Sequence, residues 1–325
     1  MPGNPKPLIS VITPAYNHSA YVQDTVKSII NQDYPNLEYI IIDDGSPDDT
    51  AEKIAEMSAE ANKRFSRFVF EKQKNQGIIR TLNNALKHAK GDFVFFLASD
   101  DLADKNAVTT LYDFLSQHPD YALAVPDNRL IDTEGKVCFW NADRRNVYDA
   151  QKATYKTFGN FLQSKRRDFD FDSNDFGTYR TLIRGNYFPG GPLIKRSVLE
   201  QVGYFSEKAP LEDYYLMMQV AKLSKLKYVN KPLLSYRWHD HNTVKNSTRM
   251  FKYSFQTTMF EKEYCQTHGF MWEWYKKQCR YLIELLARSE SKSEYLTMSN
   301  CKILVMGVIP LAFEVFSKVV RKIIG

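Results

Sequence analysis

The stretch Phe95-Phe96-Leu97-Ala98-Ser99-Asp100-Asp101 ends an apolar run on two adjacent carboxylates. Such a run reads as a buried strand, so two like charges stand where a strand leaves the core. The segments before it supply the setting. Residues 8–13 (LISVIT) form a strand candidate, and Val22, Val26, Ile29 and Ile30 recur on one face of a helix predicted over 19–31. Residues 37–43 (LEYIIID) repeat the strand, and Gly45-Ser46-Pro47-Asp48-Asp49-Thr50 offers a turn and an N-cap for a helix through about residue 61. A short strand at 68–71, a helix over 78–89 with Ile78, Leu82, Ala85, Leu86 and Ala89 inward, and a strand at 93–97 complete the alternation. Strands alternating with helices imply an α/β fold with a parallel sheet and right-handed crossovers. Strands this continuously apolar are covered on both faces.

The chain has 325 residues, 43% hydrophobic and 25% charged, which suits one large domain or a domain with an appendage. A net charge of +6 and 14% aromatic residues are compatible with a basic patch for an anionic ligand and give no indication of a nucleic-acid partner. Cys138, Cys265, Cys279 and Cys301 lie far apart and form no CxxC pair, so reduced thiols in a cytosolic compartment are expected and a zinc site is not. Residues 1–7 hold three prolines and no apolar h-region. No signal peptide is expected there, which places the chain in the cytoplasm.

In parallel sheets, ligands collect at the carboxyl ends of the strands. The first strand ends in Thr13-Pro14-Ala15-Tyr16-Asn17, the second in Asp43-Asp44-Gly45-Ser46 and the fourth in Ser99-Asp100-Asp101. Taken alone, Asp43 and Asp44 read equally well as strand terminators, and Asp101 as a cap for a helix starting near Lys105. Acids after two separate strands weigh toward a ligand. No G-x-G-x-x-G follows the first strand and no G-x-x-x-x-G-K-[ST] occurs, which argues against a dinucleotide site and a P-loop. What remains is a nucleotide held by carboxylates and a polar loop, with a divalent cation on its diphosphate. Mg2+ and Mn2+ accept one or two carboxylates together with phosphate oxygens and water.

The segments SVITPAYN, IIIDDGSPDDT, NQGIIRTLNNAL, GDFVFFLASDD and PLEDYYLMMQVAK, in that order and spacing, resemble the family 2 glycosyltransferases of the GT-A fold, over about residues 6–245. The kind resembled is the one that builds bacterial surface polysaccharides. The resemblance implies a Rossmann-like, mostly parallel sheet flanked by helices, with residues 1–245 as the catalytic domain and 246–325 as a C-terminal helical appendage. It implies sugar transfer from a nucleoside diphosphate donor, a UDP-sugar first among them, to a hydroxyl of a glycan or polyprenyl-linked acceptor. Pro14, Tyr16 and Asp44 then lie around base and ribose, and Asn75, Gly77 and Arg80 near ribose and diphosphate, with Asp43 and Ser99 counted among the donor-binding residues. Asp100 becomes the metal-contacting member of a D-x-D-like element, supported by Asp101, with Mn2+ or Mg2+ as Lewis acid on the leaving diphosphate. Ala98 stands where many relatives have the first aspartate, so Asp100 holds the cation with less help. Tyr236-Arg237-Trp238-His239 resembles the family's Y-R-x-H element, which makes His239 a candidate extra ligand reaching the metal or diphosphate, against the plainer reading of a surface loop with two histidines, His239 and His241. Asp213, beside Glu212, is the implied general base, and one base poised for direct attack implies inversion at the anomeric carbon. Glu212 is equally a residue drawn to a helix N-terminus by the macrodipole. A sugar-nucleotide or glycan-binding protein on a degenerate scaffold is the alternative that Ala98 leaves open, and a nucleotidyltransferase is the weaker third.

Acceptor recognition is expected within residues 126–210, with Gly190 and Gly191 allowing close approach of a sugar and Arg196 nearby. Asp168, Asp170 and Asp172 alternate as in a calcium loop, but Ser173 and Tyr179 occupy the positions that require glycine and glutamate. Lys165-Arg166-Arg167 is expected to pair with those aspartates, ahead of the alternative of facing an anionic acceptor. Past residue 246 the pattern turns helical and aromatic, with Tyr281, Leu282, Leu285 and Leu286 as a packing stripe. The segment 302–325 is apolar from Ile303 to Phe313 and then interleaves Glu314, Lys318, Arg321 and Lys322. The uncharged run of eleven is too short to span a bilayer, and Pro310 is expected to kink it. An interfacial amphipathic helix on the inner face of the cell membrane is the sharper reading, against a helix packed on protein.

Overall fold

The computed structural model describes residues 6–165 and 169–324, with side chains up to residue 310 and at residue 312. Arg166, Arg167 and Asp168 lie outside the described residues. Strand β1 (Ile9–Ala15), helix α1 (Val22–Ile30), strand β2 (Leu37–Asp43), helices α2 (Thr50–Glu56) and α3 (Ser58–Arg64), strand β3 (Arg67–Lys72), helix α4 (Ile78–His88) and strand β4 (Phe93–Phe96) follow the expected alternation. Every residue of β2 is buried, as are all of β1 except Pro14, because helices cover both faces of these apolar strands. Helix α1 forms where its apolar residues recur on one face, and it buries Val22, Val26, Ile29 and Ile30 together with Thr25. The single helix expected through residue 61 is instead broken at Met57, which lets both Ile54 and Ala61 reach the core. Leu82, Ala85 and Leu86 of α4 face inward, but Ile78, the first residue after the turn, is 46% exposed.

The second half adds β5 (Leu102–Ala103), α5 (Ala107–Gln117), β6 (Tyr121–Ile131), β7 (Val137–Trp140), β8 (Asn146–Val147), α6 (Phe158–Ser164), α7 (Tyr179–Leu182), β9 (Leu193–Lys195), α8 (Arg196–Val202), α9 (Glu212–Leu223) and β10 (Lys225–Arg237). The sheet runs β3-β2-β1-β4-β9-β6-β10-β5 among the described residues. Strands β3, β2, β1 and β4 are parallel, as are β6 and β10. Strand β9 lies antiparallel between β4 and β6, so two reversals bring β6 and β10 back to the direction of β4. The carboxyl ends of β1, β2, β4 and β10 therefore share one rim.

By packing, the described residues form two compact units. The first comprises those up to Thr178 with Tyr187–Phe205 and Gln219–His239, and contains the sheet. Its core joins Val11, Val26, Ile29, Tyr39, Ile41 and Phe95. The second comprises Tyr179–Asn186, Ser206–Met218 and the described residues from Asp240 onward. It is built mainly from α10 (Ser247–Met259), α11 (Lys262–Thr267), α12 (Met271–Arg288) and α13 (Met298–Ile324), the last running through Pro310. Tyr281, Leu282 and Leu285 of α12 are buried as a stripe. Gly307 lets α13 approach α12 closely, since a β-carbon there would lie 2.3 Å from that of Cys279.

One polar group fastens the amino end of the sheet. Glu38 on β2 is 1% exposed and accepts from Ser10 Oγ at 2.6 Å, from Arg67 Nε at 3.0 Å and from Gly91 N at 3.1 Å. These partners come from β1, β3 and the turn before β4, so one carboxylate ties four strands. Removing it strands the desolvated donors around it. Glu38→Ala is expected to lower stability by about 3–5 kcal/mol in urea unfolding, and a loss below about 1 kcal/mol, the scale of an exposed pair, would refute that role.

Candidate active site

The loop after β4 is held from two sides. Thr25 Oγ1 on α1 lies 3.0 Å from the Ser99 carbonyl and 2.8 Å from that of Asp101. From the end of β10, the Arg237 backbone N–H donates to Asp101 Oδ1 at 2.9 Å and its Nε donates to the Asp100 carbonyl at 2.9 Å. Its Nη1 reaches the carbonyls of Asp132 and Thr133 at 3.3 and 3.2 Å, and the guanidinium lies 4.6 Å over the Tyr21 ring. A planar cation with a fork of donors suits such a buried junction.

This bracing gives the two acids different tasks. Asp101 directs its carboxylate to the Arg237 backbone rather than capping a helix, since α5 begins only at Ala107. Burial and then the charge of Asp100 push the Asp101 carboxyl well above the ordinary range. Asp100 Oδ2 lies 2.9 Å from His239 Nε2 and 3.9 Å from His18 Nε2. Burial alone raises the Asp100 carboxyl, but the His239 hydrogen bond and the two histidines outweigh it and leave it lowered. His18 Nδ1 is 2.8 Å from Ser99 Oγ, and the His239 ring stacks on Tyr21 with centroids 5.4 Å apart. One ligand atom each from His18, Asp100 and His239 lies within 4.8 Å of the other two. Two imidazoles and a carboxylate at this spacing are a chemically suitable donor set for a divalent cation, so the residues present fit the implied metal.

The second strand end is arranged around Asp44. Its carboxylate accepts from Gln73 Nε2 at 2.7 Å and from the backbone N–H groups of Gln76 and Gly77 at 2.8 and 2.9 Å. The loop carrying Asn75 and Gly77 is thereby fixed where α4 starts, with Gly77 at φ +86°. Gly45, at φ +71°, allows that loop to pass, because a β-carbon there would sit 2.8 Å from Asn75 N. Asp43 is fully buried and holds Ser46, accepting from its N–H and its hydroxyl. Tyr16, Asn75 and Arg80 are exposed, Pro14 is half-buried, and Ser99 is buried behind His18.

Glu212 and Asp213 open α9 in the second unit, where Asp213 Oδ1 accepts from the Tyr214 N–H at 2.6 Å. Asp213 is open to solvent on one side, yet the protein around it desolvates its carboxyl and raises it. Glu212 is pushed up to about 7, by desolvation first and by the charge of Asp213 second.

Two sequence-based assignments on the acceptor side change. The missing side chain of Gly191 is accounted for by Leu234, whose Cδ1 would lie 1.9 Å from a β-carbon there, whereas Gly190 has no contact closer than 3.9 Å. Arg196 donates to the Gly91 carbonyl at 2.6 Å and pairs with Glu200, at the amino end of β4 and away from the rim. Sequence reasoning stopped at Asn17 and missed His18, one residue further along the same rim loop. Arg237 lies inside the segment singled out for His239, and Thr25 carries no signal in the sequence beyond a place on the buried face of α1.

The model of glycosyl transferase family 2 matches residues 10–184, more than half of the chain. The putative teichuronic acid biosynthesis glycosyltransferase TuaG of Bacillus subtilis is 39% identical over 114 residues, 35% of this chain and 44% of that protein. A GalNAc(5)-diNAcBac-PP-undecaprenol beta-1,3-glucosyltransferase of Campylobacter jejuni is 37% identical over 131 residues, 40% of this chain and 41% of that protein. The chain thus spans less than half the length of these two relatives. Among solved structures, the mannosyltransferase PcManGT of Pyrobaculum calidifontis, in complex with GDP-Man and Mn2+, has a TM-score of 0.56 at 15% identity, covering 95% of this chain and 86% of that one. The continuous apolar strands, the acids at their carboxyl rim and these matches agree: the chain belongs to glycosyl transferase family 2 and has the GT-A fold.

Proposed function

We propose that the protein is a metal-dependent, inverting glycosyltransferase moving a sugar from a nucleoside diphosphate donor to a hydroxyl of a glycan or lipid-linked acceptor. The observation that carries this reading is Asp100 set between two imidazoles on the rim that also bears the Asp44-braced loop. Asp100 and His239 would hold a Mn2+ or Mg2+ ion, which supplies positive charge to a departing diphosphate. Asp44 keeps unused lone pairs for ribose hydroxyls, since each carboxylate oxygen accepts more than one donor. Tyr16 offers a ring face to the base, and Arg80 a cation beside the diphosphate. Residues 1–245 act as the catalytic region on this reading, with 246–325 as an appendage.

Asp213 takes the proton of the acceptor hydroxyl while that oxygen attacks the anomeric carbon. The bond to the diphosphate oxygen breaks and its electron pair leaves with the diphosphate, so one displacement inverts the centre. The raised carboxyls of Glu212 and Asp213 support the role, because a base works best with a pKa nearer the working pH. TuaG's part in teichuronic acid biosynthesis and the undecaprenol-linked glycan named for the C. jejuni enzyme support a surface-polysaccharide or polyprenyl-linked acceptor.

No described helix is long and apolar enough to cross a membrane. Helix α13 buries Ile303, Gly307 and Pro310 while Val305, Val308 and Ile309 stay 68%, 54% and 58% exposed. With Lys318, Arg321 and Lys322 following in the sequence, this face suits an anionic lipid surface, as a peripheral contact on the inner side of the cell membrane.

Nucleotide release from UDP-, GDP- and dTDP-sugars, with Mn2+ or with EDTA, tests the donor half. One donor is expected to turn over slowly, and Asp100→Asn and EDTA are each expected to abolish that release. A chain that neither binds nor hydrolyses any of them with any metal is not this enzyme. With an acceptor supplied, Asp213→Asn is expected to lower transfer about 10^2–10^4-fold at unchanged donor affinity. The base acts deprotonated and its carboxyl is raised, so kcat/KM should fall on acidification at a pH above the ordinary aspartate range, a limb that Asp213→Asn removes. An acid limb unchanged in the variant excludes Asp213. For the membrane contact, Val305→Glu with Ile309→Glu should reduce co-sedimentation with phosphatidylglycerol vesicles at least about tenfold, and undiminished binding rules this face out.

A further inference from the structure

We propose that His18 is a third protein ligand of the cation, replacing the acid that Ala98 does not provide. We further propose that the resulting set of two imidazoles and one carboxylate favours imidazole-preferring first-row ions over Mg2+. This rests on the reading of Asp100 as a metal ligand and goes beyond it, since neither the sequence motifs nor the comparisons assign His18.

The geometry points this way on three counts. Adjacent ligands of an ion with bonds of about 2.1 Å stand about 3 Å apart. The His239 Nε2 to Asp100 Oδ2 separation is 2.9 Å, and His18 Nε2 lies 3.9 Å from the same oxygen, so a small ring movement brings all three to ligand spacing. The opposite nitrogen of His18, Nδ1, is 2.8 Å from Ser99 Oγ. A metal-binding histidine characteristically anchors its far nitrogen in this manner, which fixes the ring and directs the other nitrogen to the ion. Finally, the two imidazole rings meet edge to face with centroids 5.8 Å apart and flank the same carboxylate.

The chemical consequence concerns which ion binds and when. Mg2+ prefers an octahedron of oxygens and loses water reluctantly, so a lone carboxylate holds it only with the help of nucleotide phosphates. Imidazole nitrogen suits Co2+, Ni2+ and Zn2+. Three protein ligands retain such an ion without any nucleotide and leave positions open for phosphate oxygens.

The test is binding of Co2+ and of Mg2+ to the full chain without nucleotide, by calorimetry and by the visible absorption of bound Co2+. Wild type should bind Co2+ at least about tenfold more tightly than Mg2+. His18→Asn retains an amide that can face Ser99 but has no Nε2. It should weaken Co2+ about 10–100-fold and shift the absorption, while the weak affinity for Mg2+ stays within about threefold. Ser99→Ala, which keeps Nε2, should lose less than His18→Asn. With circular dichroism matching wild type, Co2+ affinity of His18→Asn within about twofold of wild type overturns the proposal. So does a wild-type chain that takes up no Co2+ without nucleotide. A protein that holds Co2+ through His18 yet releases nucleotide from no donor sinks the transferase reading and leaves this assignment standing, and turnover with unaltered Co2+ binding in His18→Asn does the reverse.

Discussion

Arg237 is the constraint on which the rim depends. It is 1% exposed, and its backbone and side chain together bind the Asp100 carbonyl, the Asp101 carboxylate and the carbonyls after β6 while its guanidinium covers Tyr21. An unpaired buried charge costs several kcal/mol, so the end of β10 and the loop after β4 cannot separate without exposing that cost. The arrangement also explains how two adjacent aspartates are tolerated. Asp101, braced by the Arg237 backbone, is pushed toward its protonated form, Asp100 faces the two histidines, and the pair splits into a brace and a ligand with opposite shifts.

The first half of the sheet is legible in the sequence because β1 and β2 are seven residues each and buried almost throughout, and α1 buries one continuous face. Residues 37–43 match β2, and the face of α1 is the one its periodicity marks. The limits are physical. Strand β9 has three residues and β5 two, too few for a period of two to register, and so the antiparallel insertion that separates β4 from β6 leaves no pattern. Ile78 follows the helical spacing yet lies exposed, because the loop that Asp44 holds fixes how α4 begins, and spacing alone cannot report where a helix meets its sheet.

Within the site, what could be read were residues whose motif sits beside them. Asp100 follows an apolar strand and His239 closes a recognisable segment. His18 stands 82 positions before Asp100, a separation that sequence reading cannot bridge although the two side chains lie 3.9 Å apart. Glycines mislead in a different way. A glycine reports that space is needed, not who takes it, and at Gly191 the occupant is Leu234.

The exchange of one ligand for another at this rim follows from strand adjacency. Strands β1 and β4 pair in parallel, with Ile12 opposite Phe96, so both chains leave the sheet side by side, about 4.8 Å apart. A side chain from either exit can reach the same point. Where Ala98 on one exit offers no acid, an imidazole at position 18 of the other can stand in, with no change in register or in the core beneath. With His18 as the proposed third ligand, the set holds a nitrogen where position 98 offers no oxygen, and nitrogen and oxygen donors prefer different ions. The sheet sets where charge collects at this rim, and the identity of the residue at each exit sets what that charge can hold.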